Sequence, residues 1–556
     1  VPLLYLGALL LYAPGILWGL PHATAPDRIF PWGSDELAPL GPLAQVYRVA
    51  LHGGAAFDPR YPLLPYVIQA IFMAPYLLWL RITGGLSGFR VDYPYGLSDP
   101  VSALAGMTLA ARLSSLVLMA ALPLIAYHTA RRLWDLRTAR LAGLFVLLVY
   151  PFSYYARTSN VDGGGLFWTC VALLLVASCL RDGLTSRRAA LLGVFAALSI
   201  ATKDQGYAIF LALGLAVVGR HVNTMLRTGR GWGAALRPAL MGLAAALAVY
   251  LPASGLIFNP AMFAAHVRFI IFHPGGGGGQ SYFSTPATVA GYLHLASQFA
   301  SLLVDSLGLP MALAALAGLG SAARRQPRAL TLLLVILAIL VGVILPTRFI
   351  RIRFLLPAAY VLALFAAAGV ARLFERTTAA APGTAASSGR DGARLWAGRV
   401  VVAITLVWSL VRVADLTWQM QHDSRLELEA WLRDNAQPGD HVGYYGAPLK
   451  LPALAKGIVS QPGPWAEGRD SVASWPEFIV IIPQQVYEIE HEWNLADERY
   501  RELQSGRWNY EAWLALRGPS LFDKRPINWV NPPVRLFVRR DLIPRLRDPR
   551  PRLELH

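Results

Sequence analysis

The chain has 556 residues, 55% of them hydrophobic and only 15% charged, with a formal net charge of +17 and a mean hydropathy of +0.43. Disorder and collagen-like repeats are excluded, since both need far fewer apolar residues, and a soluble domain would carry about a quarter charged residues. Nor does the charge point to nucleic acid: residues 1–416 carry +18 and residues 417–556 carry −1, so the whole excess lies in the apolar part, where membrane topology explains it.

An apolar run of about 20 residues spans a bilayer. In chain order, such runs fall at roughly 1–20, 101–127, 141–156, 163–180, 189–201, 206–220, 238–257, 296–319, 330–346, 354–372 and 399–416. The first reads as a span, although Ala23-Thr24-Ala25 also resembles the cleavage site of a signal peptide. A twelfth apolar stretch, Leu63–Leu80, is flanked and interrupted by Pro62, Pro65 and Pro75. It is expected as an irregular segment lying on or dipping into the outer surface. The expectation is therefore an α-helical polytopic membrane protein of about eleven transmembrane helices, over 1–416, followed by a small soluble domain.

Five loops are rich in arginine: 131–140, 181–188, 220–237, 324–328 and 372–399. The positive-inside rule puts them in the cytoplasm. The loops Arg157–Asp162, Thr202–Gln205, Phe258–Tyr292 and Thr347–Arg353 then face outward, with the N-terminus in and the C-terminus out. Residues 377–393, rich in Ala, Gly, Ser and Thr, read as a disordered cytoplasmic loop. Residues 417–556 are densely charged and hold no run long enough to span. Glu427–Asn435 and Gln484–Leu503 look helical, and Val442–Tyr445, Phe478–Ile482 and Val534–Val538 look like strands. This reads as a small α/β domain on the outer, extracytoplasmic face of the cytoplasmic membrane. Cys170 and Cys179 lie half a turn out of phase in one apolar stretch and form no disulfide framework.

Charged residues beside a membrane are costly, so those at the outward ends need a reason. Asp35-Glu36 could supply a general base and its orienting partner, or Ser34 could cap a helix with the two acids in its first turn. Arg157 and Asp162 bracket a tight loop, where they could position a substrate or pair locally. Lys203, the only lysine before Lys450, stands next to Asp204. It offers a compact point charge, or a structural ion pair with Asp162 or Asp204. Arg348, Arg351 and Arg353 sit against the topology rule and ask for an anion, phosphate being the natural partner of a planar guanidinium; snorkelling to headgroups is the alternative. His273 and Tyr282 flank the run Gly275–Gly279, which suits a mobile lid as well as a plain linker. The histidines show no zinc spacing.

Six motifs occur in order: the early Asp35-Glu36; Tyr61-Pro62-Leu63-Leu64-Pro65-Tyr66; Arg131-Arg132-Leu133-Trp134; Ala156 through Asp162; Ala201-Thr202-Lys203; and Arg353-Phe354-Leu355-Leu356-Pro357. Together they resemble the GT-C superfamily of membrane glycosyltransferases, above all glycosyltransferase family 39 and its aminoarabinose-transferase-like relatives, over about residues 1–415. The resemblance implies surface helices in the first outer loop, a polyprenyl-phosphate-linked sugar as donor, and inverting transfer at the outer face. It implies Asp35 as base with Glu36 beside it, Asp162 as the acid of the second outer loop, and Lys203, Arg351 and Arg353 as phosphate ligands. Gly163–Gly165 and Asp204-Gln205 depart from the family's pattern, which bears on the donor sugar more than on the reaction.

That chemistry is coherent on its own terms. A sugar on a lipid phosphate needs a base for the nucleophile and cations for the departing phosphate. No cofactor is required, although Asp35, Glu36 and Asp162 would suit a hard divalent cation. The competing expectation is a transporter or flippase for a lipid-linked or anionic substrate, which calls for charges at the midplane and inverted repeats. A scaffold is the third, with dispensable outer-face charges.

Overall fold

The computed structural model describes residues 2–49, 60–272, 285–374, 386–444, 451–463, 475–482, 501–503, 505, 508–522, 526–527, 529–547 and 550–553. His273 and Tyr282 lie outside the described residues, as does most of the helix expected at Gln484–Leu503.

Runs of leucine and alanine make the helices, and short polar side chains begin them. Asp99 accepts from the amides of Val101 and Ser102 ahead of Pro100, the first residue of the helix Pro100–Ala120. Asn160 accepts from the amide of Asp162 at the head of Val161–Asp182. Each cap satisfies amides that a helix start leaves without partners. Among the described residues, eight helices are long and apolar enough to cross a bilayer. Counting Val289–Leu307 and Leu309–Arg325, bent by 108° at Gly308, as one span gives nine. The molecule is thus a polytopic α-helical membrane protein with a small C-terminal β-sheet domain.

Three expected spans are shorter than a bilayer. The first helix is Pro2–Tyr12, followed by turns with left-handed glycines at 15 and 19. The run at 141–156 divides into Leu136–Leu147 and Tyr150–Tyr155, with Pro151 in the first turn of the second. The run at 189–201 is the 17-residue helix Ser186–Thr202. Leu63–Leu80 corrects the expectation in another way. It is no irregular segment but a continuous helix, Leu64–Ile82, that holds Pro75 inside it. Near its start Gln69 donates to the carbonyl of Ser159 (2.8 Å). The loop after it returns to the same side, where the Tyr93 hydroxyl donates to the carbonyl of Ala23 (2.9 Å). The supposed loop at 377–393 is also cut short, because a long helix, Ala386–Gln421, begins inside it.

Charge is segregated to the two ends of the bundle. Val161–Asp182 has 22 residues, about 33 Å at 1.5 Å per residue, close to the thickness of a bilayer core. Asp162 stands at one end. At the other, Arg132, Arg181 and Arg188 converge on exposed Asp182 at 3.1–3.6 Å. Between them helices approach closely through glycine: Gly318 of Leu309–Arg325 meets Gly369 of Leu356–Ala371 so tightly that a Cβ on either would strike the other's backbone. Small residues at helix contacts are the usual route to tight packing in lipid.

The helical stretch 327–347 changes character along its length. Pro327–Leu333 is 3₁₀, Leu334–Ile339 is α, Leu340–Ile344 is π, and Leu345–Thr347 is α again. A π turn widens the helix and frees a carbonyl. Here the carbonyl of Gly342 accepts from the Tyr207 hydroxyl (2.6 Å).

The C-terminal domain is built on a five-stranded mixed sheet of β1 (His441–Tyr444), β2 (Val459–Pro462), β3 (Phe478–Ile481), β4 (Tyr510–Leu516) and β5 (Val534–Arg539), in the order β2-β1-β3-β5-β4. β1 pairs in parallel with β2 and β3, and β5 is antiparallel to β3 and β4. The helix Ser424–Asn435 covers one face through Leu428, Trp431 and Leu432.

A dense polar junction joins this domain to the bundle. Arg425 makes two bonds to Asp423 (2.9 and 2.8 Å), and both side chains are buried. The Arg425 guanidinium lies 4.1 Å from the Trp32 ring centroid and 5.6 Å from that of Trp18. The Trp18 indole donates to Asp423 (3.0 Å), and the Trp32 indole donates to the carbonyl of Leu451 (3.0 Å). Removing one member of a buried pair strands the other charge, at a cost of about 3–5 kcal/mol. Arg425→Ala is therefore expected to lower the thermal unfolding midpoint of the detergent-solubilised protein markedly. A midpoint within a degree of wild type would contradict this account of the junction.

Candidate functional site

Four connections meet at the end of the bundle that carries the C-terminal domain: residues 33–37, 156–162, 203–205 and 347–354. Each owes its shape to a local feature. Asp35 adopts a left-handed backbone, φ 60°, a region open to Asp more than to most residues. The reversal sends the side chains of Asp35 and Glu36 to different partners. The 156–162 loop is clasped from both sides: its Ser159 carbonyl accepts from the amide of Leu37 (3.2 Å), and the Asn160 amide group donates to the carbonyl of Ser34 (3.1 Å). Lys203 ends the helix Ser186–Thr202 in an extended conformation, and Arg348 leaves the preceding helical turn at φ 49°.

Two ion pairs form there. Arg353 binds Asp35, and Lys203 binds Asp162. The cations are neighbours across one ring: Lys203 Nζ lies 5.4 Å from the Phe354 centroid and the Arg353 guanidinium carbon 5.5 Å from it. The Asp35 side chain is 25% exposed, whereas that of Asp162 is 1% exposed. Asp162 Oδ2 has no hydrogen-bond partner among the described residues. Arg351, extended in backbone, lies 4.9 Å from the Phe349 centroid.

The structure does not bring every candidate into this group. Glu36 turns inward to Arg112. Arg112 Nε and Nη2 donate to its two oxygens (2.9 and 2.7 Å), and neither side chain has exposed surface. Glu36 Oε2 also accepts from the amide and hydroxyl of Ser159 (2.8 and 2.9 Å). Arg157 is likewise buried and occupied. It donates to the carbonyls of Tyr12 (2.9 Å) and Leu11 (3.0 Å), where the first helix ends, and to the hydroxyl of Thr417 (2.7 Å). A cation on the last carbonyls of a helix is favourable on both hydrogen-bonding and dipole grounds. Asp204 points away from Lys203 to His266, whose Nε2 is 3.0 Å from Asp204 Oδ1.

Beside the ion pairs lies a cavity of about 190 Å³. Lys203, Asp204, Arg60 and Arg353 mark its polar part; Phe269, Ile270, Phe349, Phe354 and Val343 line the apolar part. Tyr207 and Ile270 are partly exposed on its rim, on helices whose other faces are apolar. The cavity borders the π turn at Gly342. Among the described residues no group of three or more His, Cys, Asp or Glu could hold a metal ion. Asp35 and Asp162 each already face a protein cation, and Glu36 is spent on Arg112.

Arg112, Ser159 and His266 are the site residues least visible in sequence. Arg112 had a signal, a lone arginine inside an apolar run. Ser159 and His266 had none, because their partners are 123 and 62 residues away.

Residues 101–254, which carry Arg112, Asp162, Lys203 and Asp204, match the family described as dolichyl-phosphate-mannose-protein mannosyltransferase. This agrees with the resemblance read from the six motifs. Among solved structures, the chain is similar to ArnT from Cupriavidus metallidurans bound to undecaprenyl phosphate, at 14% identity over 96% of this chain and 97% of that one, with a TM-score of 0.46. It is also similar to the Archaeoglobus fulgidus oligosaccharyltransferase in complex with Zn and sulfate, at 12% identity over 93% and 72%, with a TM-score of 0.45. The archaeal oligosaccharyltransferase AglB from Archaeoglobus fulgidus, in complex with an inhibitory peptide and a dolichol-phosphate, gives 13% identity over 82% and 64%, with a TM-score of 0.41. No curated protein matches the chain.

The geometry separates Asp35 from Glu36 in stability. Glu36→Gln would leave the Arg112 guanidinium buried without a counter-charge and is expected to cost about 3–5 kcal/mol. Asp35→Asn removes half of a pair whose carboxylate keeps a quarter of its surface exposed, so it is expected to cost less. Thermal unfolding of the two purified variants measures the difference; equal losses would refute it.

Proposed function

We propose that this chain is a glycosyltransferase that moves a sugar from a polyprenyl-phosphate carrier to a hydroxyl acceptor, with inversion, at the face of the membrane bearing the C-terminal domain. One observation carries the reading: Lys203 and Arg353, each paired with a carboxylate, line the polar part of a cavity whose remaining wall is apolar and whose rim lies among membrane helices. Arginine-rich loops at the opposite end of the bundle support reading the site's face as the extracytoplasmic one, by the positive-inside rule.

The chemistry follows from charge. A carrier phosphate entering the cavity meets Lys203 and Arg353, and Arg351 and Arg348 stand on the same segment to add guanidinium. An anion there competes with Asp35 for Arg353, which releases the carboxylate as a base. The acceptor oxygen then attacks the anomeric carbon from the side opposite the phosphate. The carbon–oxygen bond to phosphate breaks and its electron pair leaves with the phosphate. The acceptor proton passes to Asp35. Cations aimed where charge accumulates lower the barrier without reorganising, and holding both substrates supplies much of the remainder. Asp162, through its pair with Lys203, sets the position of that ammonium. In this scheme the two cations do the electrostatic work that a divalent ion does elsewhere.

The transporter alternative finds no support in these contacts, since the site's ion pairs sit at one end of the bundle.

Two outcomes are expected in membranes supplied with radiolabelled polyprenyl-phosphate sugars. Asp35→Asn lowers transfer by about 10³-fold, within the range for removing a general base, with its unfolding midpoint kept close to wild type. Full activity in that variant would overturn the mechanism. Transfer by the wild type is unchanged after chelation of divalent cations. A chelator-sensitive enzyme restored by one added metal would show that Lys203 and Arg353 do not suffice.

A further inference from the structure

Asp204 is out of place in a cavity built for phosphate. Lys203, Arg353 and Arg60 present positive charge to an anion, and a carboxylate on the same wall repels it. Yet Asp204 lines that cavity with a quarter of its side chain exposed. Its Oδ1 is fixed by His266, which sits on Pro260–Phe272 and is itself 2% exposed. Among the described residues, Oδ2 has no hydrogen-bond partner. The adjacent Gln205 also lines the cavity, and its amide group has no partner among the described residues.

Resting on the glycosyltransferase reading, we propose that Asp204 and Gln205 read the hydroxyl groups of the donor sugar, with His266 as the residue that positions Asp204. A carboxylate only accepts hydrogen bonds, so its ligand must donate. The phosphate of the donor has no donor to offer at neutral pH, and the polyprenyl tail has none. Hydroxyl groups remain, and the donor sugar's are the ones covalently tied to the phosphate that Lys203 and Arg353 hold on the same cavity wall. A carboxylate beside a carboxamide offers acceptors and a donor side by side, which suits two neighbouring hydroxyls that each donate and accept. A simple tether between the 203–205 turn and the Pro260–Phe272 helix would need only one carboxylate oxygen. It would not explain why Asp204 and Gln205 both line a cavity otherwise marked by cations.

The test uses the full-length protein in detergent with polyprenyl-phosphate mannose, galactose and arabinose, and then the monodeoxy analogues of whichever sugar is transferred. A site built to bond a hydroxyl rejects the analogue lacking it strongly. Wild type is expected to lose about 10- to 100-fold in kcat/KM on one deoxy position, the worth of a hydrogen bond to a charged group. In Asp204→Ala the ratio between the full sugar and that analogue falls to near one, because the full sugar loses its partner while the analogue has none to lose. His266→Gln shrinks the same ratio through KM, with kcat kept. If Asp204→Ala unfolds, Gln205→Ala in the same turn supplies the comparison, with the ratio collapsing at a neighbouring hydroxyl. Discrimination unchanged in the folded variants would overturn this proposal and leave the enzyme reading intact. Transfer from none of the three carriers by the wild type would overturn both.

Discussion

A guanidinium with no exposed surface, Arg112, and the carboxylate that meets it, Glu36, hold the site in place. Charges are not buried beside a membrane unless their partners are supplied, and here every partner is structural. The two remaining Arg112 bonds run from Nη1 to the carbonyls of Ile16 and Trp18 (2.7 and 2.6 Å). Glu36 fills its other acceptor positions from Ser159. One ion pair thereby joins three stretches of chain far apart in sequence: the turns after the first helix, the loop at 33–37, and the loop at 156–162. Asp35 is carried on that assembly one residue from its anchor.

The dipeptide thus divides its labour. Two adjacent carboxylates at one site would raise each other's proton affinity if both faced the same space. The left-handed turn at Asp35 avoids this by sending Glu36 into the core and leaving Asp35 partly exposed on Arg353. The same rule repeats at 203–204. Lys203 goes to Asp162 and Asp204 goes the opposite way to His266, so each ionisable residue meets a group of complementary chemistry. Phe354 then lies about equally far from both cations, 5.4 and 5.5 Å from its ring centroid. Its ring faces help hold positive charges that would otherwise repel at close range.

Much of this was legible in the sequence, and the limits follow from physics. Hydropathy located the long helices because lipid demands continuous apolar runs. It overcounted where a run was apolar but folded short, as at Pro2–Tyr12, where buried Arg157 caps the end. It misjudged Leu64–Ile82 because three prolines suggested irregularity, whereas Pro65 stands in the first helical turn and Pro75 is absorbed. In the soluble domain β1, β3 and β5 were visible as short apolar-rich stretches, of which Phe-Ile-Val-Ile of β3 is the clearest. Two strands were not: β2, Val-Ser-Gln-Pro, is a polar edge, and β4, Tyr-Glu-Ala-Trp-Leu-Ala-Leu, is composed of good helix formers. Polar residues on the wrong side of the topology pointed to Lys203 and Arg353. What no local pattern could say is which carboxylate each cation would meet, since those pairings span 41 residues in one case and more than 300 in the other. Nor could it show that Arg157 and Glu36 are consumed by the scaffold.

The scaffold extends beyond the membrane. Trp18 gives its carbonyl to Arg112 inside the bundle and its indole N–H to Asp423 at the junction. Asp423 in turn accepts from Arg425 and from the amide of Asn531, which lies just ahead of β5. A continuous path of hydrogen bonds therefore runs from the sheet domain through one tryptophan to the ion pair beneath Asp35. A hinged appendage would not place two tryptophan rings and a buried guanidinium at its joint. The soluble domain and the loop that carries Asp35 are parts of one polar network, and a change in the docking of one must be felt by the backbone that orients the other.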